Sequence, residues 1–283
     1  MLPNWIGIGP GRAGTTTIYE LLKFHPEVFM PAIKECNFLH QGNMTDGDLA
    51  FYESTFFDKY SAQKAVGEIS PSYFISENAQ SNILKYAGKN TKFIVTLRHP
   101  VLRAFSHYRH EIKNLRIKDS FPALISKKNT SIYESSLFGE NLRRWYKSFP
   151  KENFLILIFE EDIEINLAKT IERICTFLNI SPSLEVNEET HVNRNLEPTF
   201  IIPQEINPLA NQSTVEMQFE WADWCKKITH PSKNLVQAFK ATKELYSYQL
   251  DDISKSNIYK RFFKKDVKDL ESLIKRDLSK WEH

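Results

Sequence analysis

Residues 9–16 read Gly-Pro-Gly-Arg-Ala-Gly-Thr-Thr, a spacing that suits anion binding. Glycines at 9, 11 and 14 let backbone N–H groups converge on an anion without Cβ obstruction, and a helix starting at Thr15 would add its N-terminal partial charge. The usual nucleoside-triphosphate loop, Gly-x-x-x-x-Gly-Lys-[Ser/Thr], uses its lysine on the outer phosphates and its hydroxyl on magnesium. Here Gly9 and Gly14 keep the spacing, Thr15 replaces the lysine, and the cation, Arg12, lies inside the loop. Such a loop fits a single phosphate carrying a reactive group better than a magnesium-bound triphosphate. The alternative is a glycine-rich turn that only connects two elements.

The flanking residues supply a strand and a helix. Asn4–Ile8 is apolar and β-compatible, while from Thr15 to His25 the residues Ile18, Leu21, Leu22 and His25 share one helical face. A second buried strand is expected at Lys92–Leu97, ended by Arg98-His99-Pro100, with Pro100 in the first turn of a helix carrying Val101, Leu102, Phe105 and Tyr108. A third strand, Phe154–Phe159, precedes Glu160-Glu161-Asp162 and a helix with Leu167, Ile171, Ile174 and Leu178, closed by Asn179 and Pro182. This alternation predicts an α/β fold with a P-loop-like central parallel sheet, helices on both faces and ligands at the carboxyl ends of the strands. Residues 181–232 are proline-interrupted and read as irregular loops that could cover a site or form a surface insertion. Val267, Leu270, Leu273, Ile274 and Leu278 mark an amphipathic C-terminal helix, and residues 1–283 read as one domain.

Composition narrows the partners. With 283 residues, 41% hydrophobic, 25% charged and a formal charge of +2, the chain is an ordinary globular protein with neither a nucleic-acid coat nor a polybasic membrane anchor. Any anion site must therefore be local. Cys36, Cys175 and Cys225 are odd in number and widely spaced, which fits reduced thiols. No apolar run reaches the ~20 residues of a membrane span, and Met1-Leu2-Pro3 leads directly into the first strand, so a cytoplasmic protein is expected.

Several segments together resemble sulfotransferases that use 3′-phosphoadenosine-5′-phosphosulfate (PAPS). Gly11-Arg12-Ala13-Gly14-Thr15-Thr16-Thr17 is similar to their 5′-phosphosulfate loop, and Leu97-Arg98-His99-Pro100 through Ser106 to their 3′-phosphate motif. His25-Pro26-Glu27-Val28, Lys34-Glu35-Cys36-Asn37-Phe38, Gly67-Glu68-Ile69-Ser70-Pro71-Ser72-Tyr73, Asn141-Leu142-Arg143-Arg144-Trp145 and Arg276-Asp277-Leu278-Ser279-Lys280-Trp281 extend the similarity over most of the chain. It is greatest to the heparan sulfate enzymes and their bacterial relatives.

The resemblance implies PAPS as co-substrate and a small-molecule or glycan acceptor, and the scattered histidines give no expectation of a metal. It implies that Arg12, Ala13, Gly14, Thr15, Thr16 and Thr17 hold the phosphosulfate, and that Arg98 and Ser106 hold the 3′-phosphate with a charged fork and a hydroxyl. Glu35 falls at the general-base position, and Arg12 at a position many members fill with lysine; a guanidinium stabilises charge there but does not protonate the leaving group. Ile69 stands where heparan-type enzymes often carry a sugar-contacting lysine. His107 and His110, at i and i+3, lack a third metal ligand at compatible spacing and read as a polar helix face. The rival reaction class is a kinase or nucleotide hydrolase with Glu160-Glu161-Asp162 on magnesium. Against it, no lysine follows Gly14 and the strand at 93–97 ends in arginine. A third reading, a module that binds adenosine 3′,5′-bisphosphate and transfers nothing, is opposed by Glu35 and Arg12 together. Trp221 and Trp224 could stack on a sugar acceptor or fill a core.

Overall fold

Five short apolar runs pair side by side, all parallel: β1 (Trp5–Gly7), β2 (Val28–Phe29), β3 (Ala65–Ile69), β4 (Lys92–Leu97) and β5 (Phe154–Ile158). Their spatial order is β2-β3-β1-β4-β5. The computed structural model of the chain describes residues 1–113, 117–182, 199–200, 217–218, 245 and 247–282. The helices are α1 (Thr15–Leu22), α2 (Asp46–Phe56), α3 (Glu77–Asn82), α4 (Pro100–Lys113), α5 (Phe121–Ser126), α6 (Ser131–Glu134), α7 (Phe138–Ser148), α8 (Leu167–Leu178), α9 (Asp252–Ile258) and α10 (Lys264–Ile274).

Strand periodicity divides the core in two, because successive side chains leave a strand on opposite faces. Ile6, Ile8, Val66, Phe93, Val95 and Leu97 pack with Val101, Ala104 and Tyr108 of α4, Leu142 and Trp145 of α7, and Val267 and Leu270 of α10. Trp5, Ala65, Ile69, Ile94 and Leu157 pack on the other side with Ile18 and Leu22 of α1 and Ile171, Ile174 and Leu178 of α8. The sheet thus has helices on both faces, as the strand–helix alternation predicts.

The chain runs from central β1 to edge strand β2, returns to β3 beside β1, then crosses to β4 on the other side. Connections diverge at the carboxyl end of β1, leaving a crevice between the ends of β3 and β4, where open α/β sheets bind ligands. Sequence periodicity missed β2 and β3, for local reasons. β2 is two residues long, and β3 carries Gly67 and Glu68 in an otherwise apolar run. Gly67 is required by close approach: a Cβ there would stand 2.2 Å from Cε2 of the Trp5 indole.

Four element boundaries also move. Strands expected at Asn4–Ile8 and Phe154–Phe159 are trimmed to Trp5–Gly7 and Phe154–Ile158. α1 stops at Leu22, and the buried His25 ring instead accepts the Glu27 N–H at 3.1 Å and bonds the Ser181 carbonyl at 2.8 Å. α10 stops at Ile274 because Lys275 turns left-handed, so Leu278 belongs to the turn that returns Trp281 to the core. Most of 181–232, with Trp221, Trp224 and Cys225, lies outside the described residues.

Candidate active site

The loop leaving β1 passes so close to β4 that a Cβ at Gly9 would stand 2.4 Å from the Thr96 backbone nitrogen. Gly14 turns the chain into α1 with φ +90, and a Cβ there would meet the Ile163 side chain at 2.7 Å. Arg12 is also left-handed, at φ 71. As N-cap of α1, Gly14 supplies no capping side chain, and the first turn contains no acid. The N–H groups of Thr15, Thr16 and Thr17 are thus left to an external acceptor.

Three arginines converge on this loop. Arg12 Nε donates to Ser106 Oγ at 3.1 Å, Arg98 Nη1 donates to the Arg12 carbonyl at 3.4 Å, and Arg103 Nη1 donates to the Gly11 carbonyl at 3.4 Å. Arg103 is wholly buried, further held by Ser136 Oγ at 2.8 Å and by the Ile132 carbonyl. Arg98 lies over the Phe159 ring, 4.7 Å from its centroid, and its buried Nε has no hydrogen-bond partner. Among the described residues, none of the three is ion-paired to a carboxylate. Burial, then the charges of Arg12 and Arg98, draw Arg103 down to about 9. Arg12 opens to solvent on one side, yet crowding by protein atoms, then the Arg98 charge, lower its pKa, with Glu35 opposing the shift. An anion among these groups would relieve both the repulsion and the unmet Arg98 donor.

Glu35 lies on the neighbouring rim. Its N–H donates to the Ile69 carbonyl at the end of β3 at 3.2 Å, its backbone is left-handed at φ 65, and its 44%-exposed side chain pairs with Lys34. The structure therefore gathers Arg12, Ala13, Gly14, Thr15, Thr16, Thr17, Arg98 and Ser106 at one strand end, with Glu35 beside them. Ile69 is turned into the core against α1 and α8. Buried Glu68, the residue before it, accepts from Tyr52 at 2.5 Å, Ser70 at 2.6 Å and Tyr73 at 3.0 Å. Burial raises its pKa against those hydrogen bonds.

Glu160, Glu161 and Asp162, after β5, each accept at least one hydrogen bond that holds the fold, while Glu160 Oε2 is buried without a partner among the described residues. Asp162 accepts from the Ile158 N–H, Arg173 and Arg276, each at 2.6 Å. Glu161 pairs with Arg276 at 2.6 Å and Lys280 at 3.2 Å, and Glu160 accepts the His99 N–H at 2.8 Å. This occupation opposes the magnesium-nucleotide reading. His107 is likewise engaged: its Nδ1 accepts from Arg103 at 3.4 Å, and its Nε2 lies 3.8 Å from Glu111. Burial, then the Arg103 charge, push it down to about 3, so the ring is neutral at physiological pH. Arg103 is the contributor that residue-by-residue reading missed. Its i, i+3 spacing to Ser106 along α4 was the available signal.

The fold that carries this loop is shared with other chains. A sulfotransferase from Alicyclobacillus acidocaldarius matches over 100% of both chains, with a TM-score of 0.68 at 21% identity, which shows a common fold. Heparan sulfate glucosamine 3-O-sulfotransferase 5 of Homo sapiens is 28% identical over 194 residues, covering 65% of this chain and 55% of that protein. Heparan sulfate glucosamine 3-O-sulfotransferase 3B1 of Homo sapiens is 29% identical over 187 residues, covering 63% of this chain and 46% of that protein. The matched stretch thus spans only part of these relatives. The sulfotransferase-domain family model matches residues 3–260, nearly the whole sequence, and by that match the chain belongs to the sulfotransferase domain family.

Proposed function

We propose that this protein transfers the sulfuryl group of PAPS to a hydroxyl of a sugar or glycoconjugate. The observation that carries this reading is the cluster of Arg12, Arg98 and Arg103 around an uncapped helix N-terminus, with no carboxylate paired to any of them among the described residues. PAPS presents a phosphosulfate and a separate 3′-phosphate, and the cluster offers cations to both. The loop N–H groups at 14–17 and Arg12 face the phosphosulfate, while Arg98, with its unmet Nε, and Ser106 face the 3′-phosphate. The residues present fit the donor.

The donor supplies an activated sulfuryl group on a phosphate leaving group. Glu35 takes the proton of the acceptor hydroxyl as its oxygen bonds to sulfur, and the bond from sulfur to the bridging oxygen breaks with its electrons passing to phosphate. Arg12 donates hydrogen bonds to the charge that develops there. The proton balance closes on Glu35, since a guanidinium stays protonated. Sugar acceptors are favoured by the 3-O-sulfotransferase relatives, whose names specify a glucosamine unit of heparan sulfate.

Two measurements test the proposal. Calorimetry in EDTA should show adenosine 3′,5′-bisphosphate binding much more tightly than ATP does with magnesium; the reverse order would favour a kinase. Labelled sulfate from PAPS should then appear on sugar acceptors in a broad panel. Exclusive transfer to phenols would overturn the acceptor class.

A further inference from the structure

Glu35 is exposed and held by a lysine next to it in sequence, so its placement must come from its backbone. Glu35 and Asn37 are both left-handed, at φ 65 and φ 49. Non-glycine residues hold such conformations only where their surroundings fix them. Four backbone hydrogen bonds fix this loop: the Glu35 N–H bonds the Ile69 carbonyl at 3.2 Å, the Asn37 N–H bonds Ser70 Oγ at 3.1 Å, and the Phe38 and Leu39 N–H groups both bond the Tyr73 hydroxyl, at 2.9 and 3.0 Å.

Both hydroxyls have their protons committed elsewhere. Ser70 donates to Glu68 Oε2 at 2.6 Å and Tyr73 donates to Glu68 Oε1 at 3.0 Å, while Tyr52 from α2 adds a third donor at 2.5 Å. Each hydroxyl accepts from loop N–H groups on one side and so gives its own proton to a Glu68 oxygen on the other, with its lone pairs turned outward toward the loop. We propose that Glu68 is a positioning residue for Glu35: through Ser70 and Tyr73 it orients the acceptors that hold the Glu35 loop at the angle needed for proton abstraction. This inference rests on the reading of Glu35 as the base.

The test uses Tyr73→Phe, which keeps the buried ring and removes the acceptor of two loop N–H groups, and Glu68→Gln, whose amide donors would compete with the hydroxyl protons. Adenosine 3′,5′-bisphosphate titration counts competent sites, and turnover is expressed per site. The expected result is an unchanged bisphosphate dissociation constant with kcat lowered roughly 10- to 100-fold, the cost of a misplaced catalytic group. The deciding measurement is Tyr73→Phe in the Glu35→Gln background. If Tyr73 acts through Glu35, the second substitution costs almost nothing there. An equal fold-loss in both backgrounds, or unaltered kcat in Tyr73→Phe alone, overturns the positioning role while leaving Glu35 as base. Near-normal turnover by Glu35→Gln overturns both. Should Glu68→Gln fail to fold, Tyr73→Phe still decides the question.

Discussion

Arg98 has the most directly testable role at the residue scale, because its proposed partner can be removed chemically from the ligand. Arg98→Ala should weaken adenosine 3′,5′-bisphosphate binding by about 1.5–3 kcal/mol, the range of a hydrogen bond to a charged group, and leave adenosine 5′-phosphate binding unchanged. Calorimetry with both ligands gives the comparison, and equal losses would remove Arg98 from the 3′-phosphate site. Glu35→Gln keeps the size of the side chain and loses proton acceptance. Turnover should fall by about two to four orders of magnitude at constant donor affinity, measured as initial rates of labelled sulfate transfer. Arg12 and Arg98 were legible because each occupies a marked place in a motif. Arg103 was not, since one more arginine on a helix announces neither that it is fully buried nor that it touches the Gly11 carbonyl.

At the scale of elements, α4 is where packing and charge meet. Val101, Ala104 and Tyr108 bury its apolar face, while Arg103, Ser106 and His107 face the loop, three and four residues apart on one side. His99 and His107 are held down to about 4 and about 3 against an ordinary 6.5, each by burial first and nearby cations next. Between those values and 6.5 the unfolded chain binds more protons than the folded one, so acidification draws the equilibrium toward unfolding. Stability is therefore predicted to be full above about 6.5 and to fall progressively as pH drops toward 4 and then 3. Thermal melts across that range should show it, and His107→Gln, which keeps an acceptor for Arg103, should make the acid-side fall shallower. An unchanged slope would mean that His107 titrates normally.

For the molecule as a whole, residues far apart in sequence close the site from behind. Arg276, after α10, bridges Asp162 and Glu161 after β5, and Trp281 packs near His99, which follows Arg98. Burial pushes Asp162 up, but Arg276, the Ile158 N–H and Arg173 outweigh it and hold the carboxyl below its usual range. Its contribution is present above the ordinary aspartate pKa and is lost as pH falls. Arg276→Ala should cost about 1–3 kcal/mol, a discounted figure because Arg276 and Glu161 are 27% and 26% exposed and Arg173 remains on Asp162. Melting monitored by circular dichroism at neutral pH should show a drop of roughly 2–8 °C.

Local chemistry was readable without the fold. A glycine-rich turn between an apolar run and a helical face and an arginine ending a β-branched strand depend on residue type and short spacing, which backbone sterics and periodicity already constrain, whereas Glu35 stood out through its resemblance to a family motif and not through its residue type. Tertiary structure decided what depends on which strands become neighbours. β3 escaped notice because Gly67 and Glu68 interrupt its apolar run, yet Gly67 is there to pass under Trp5, and Glu68 gathers hydroxyls from α2 and from the turn after β3. The rival assignment of the acids after β5 to magnesium, already opposed by the missing lysine after Gly14, is further opposed by Arg173, Arg276 and the His99 N–H, which engage them. A side chain's partners are set by distances between elements, and those distances arise only when the sheet orders its strands.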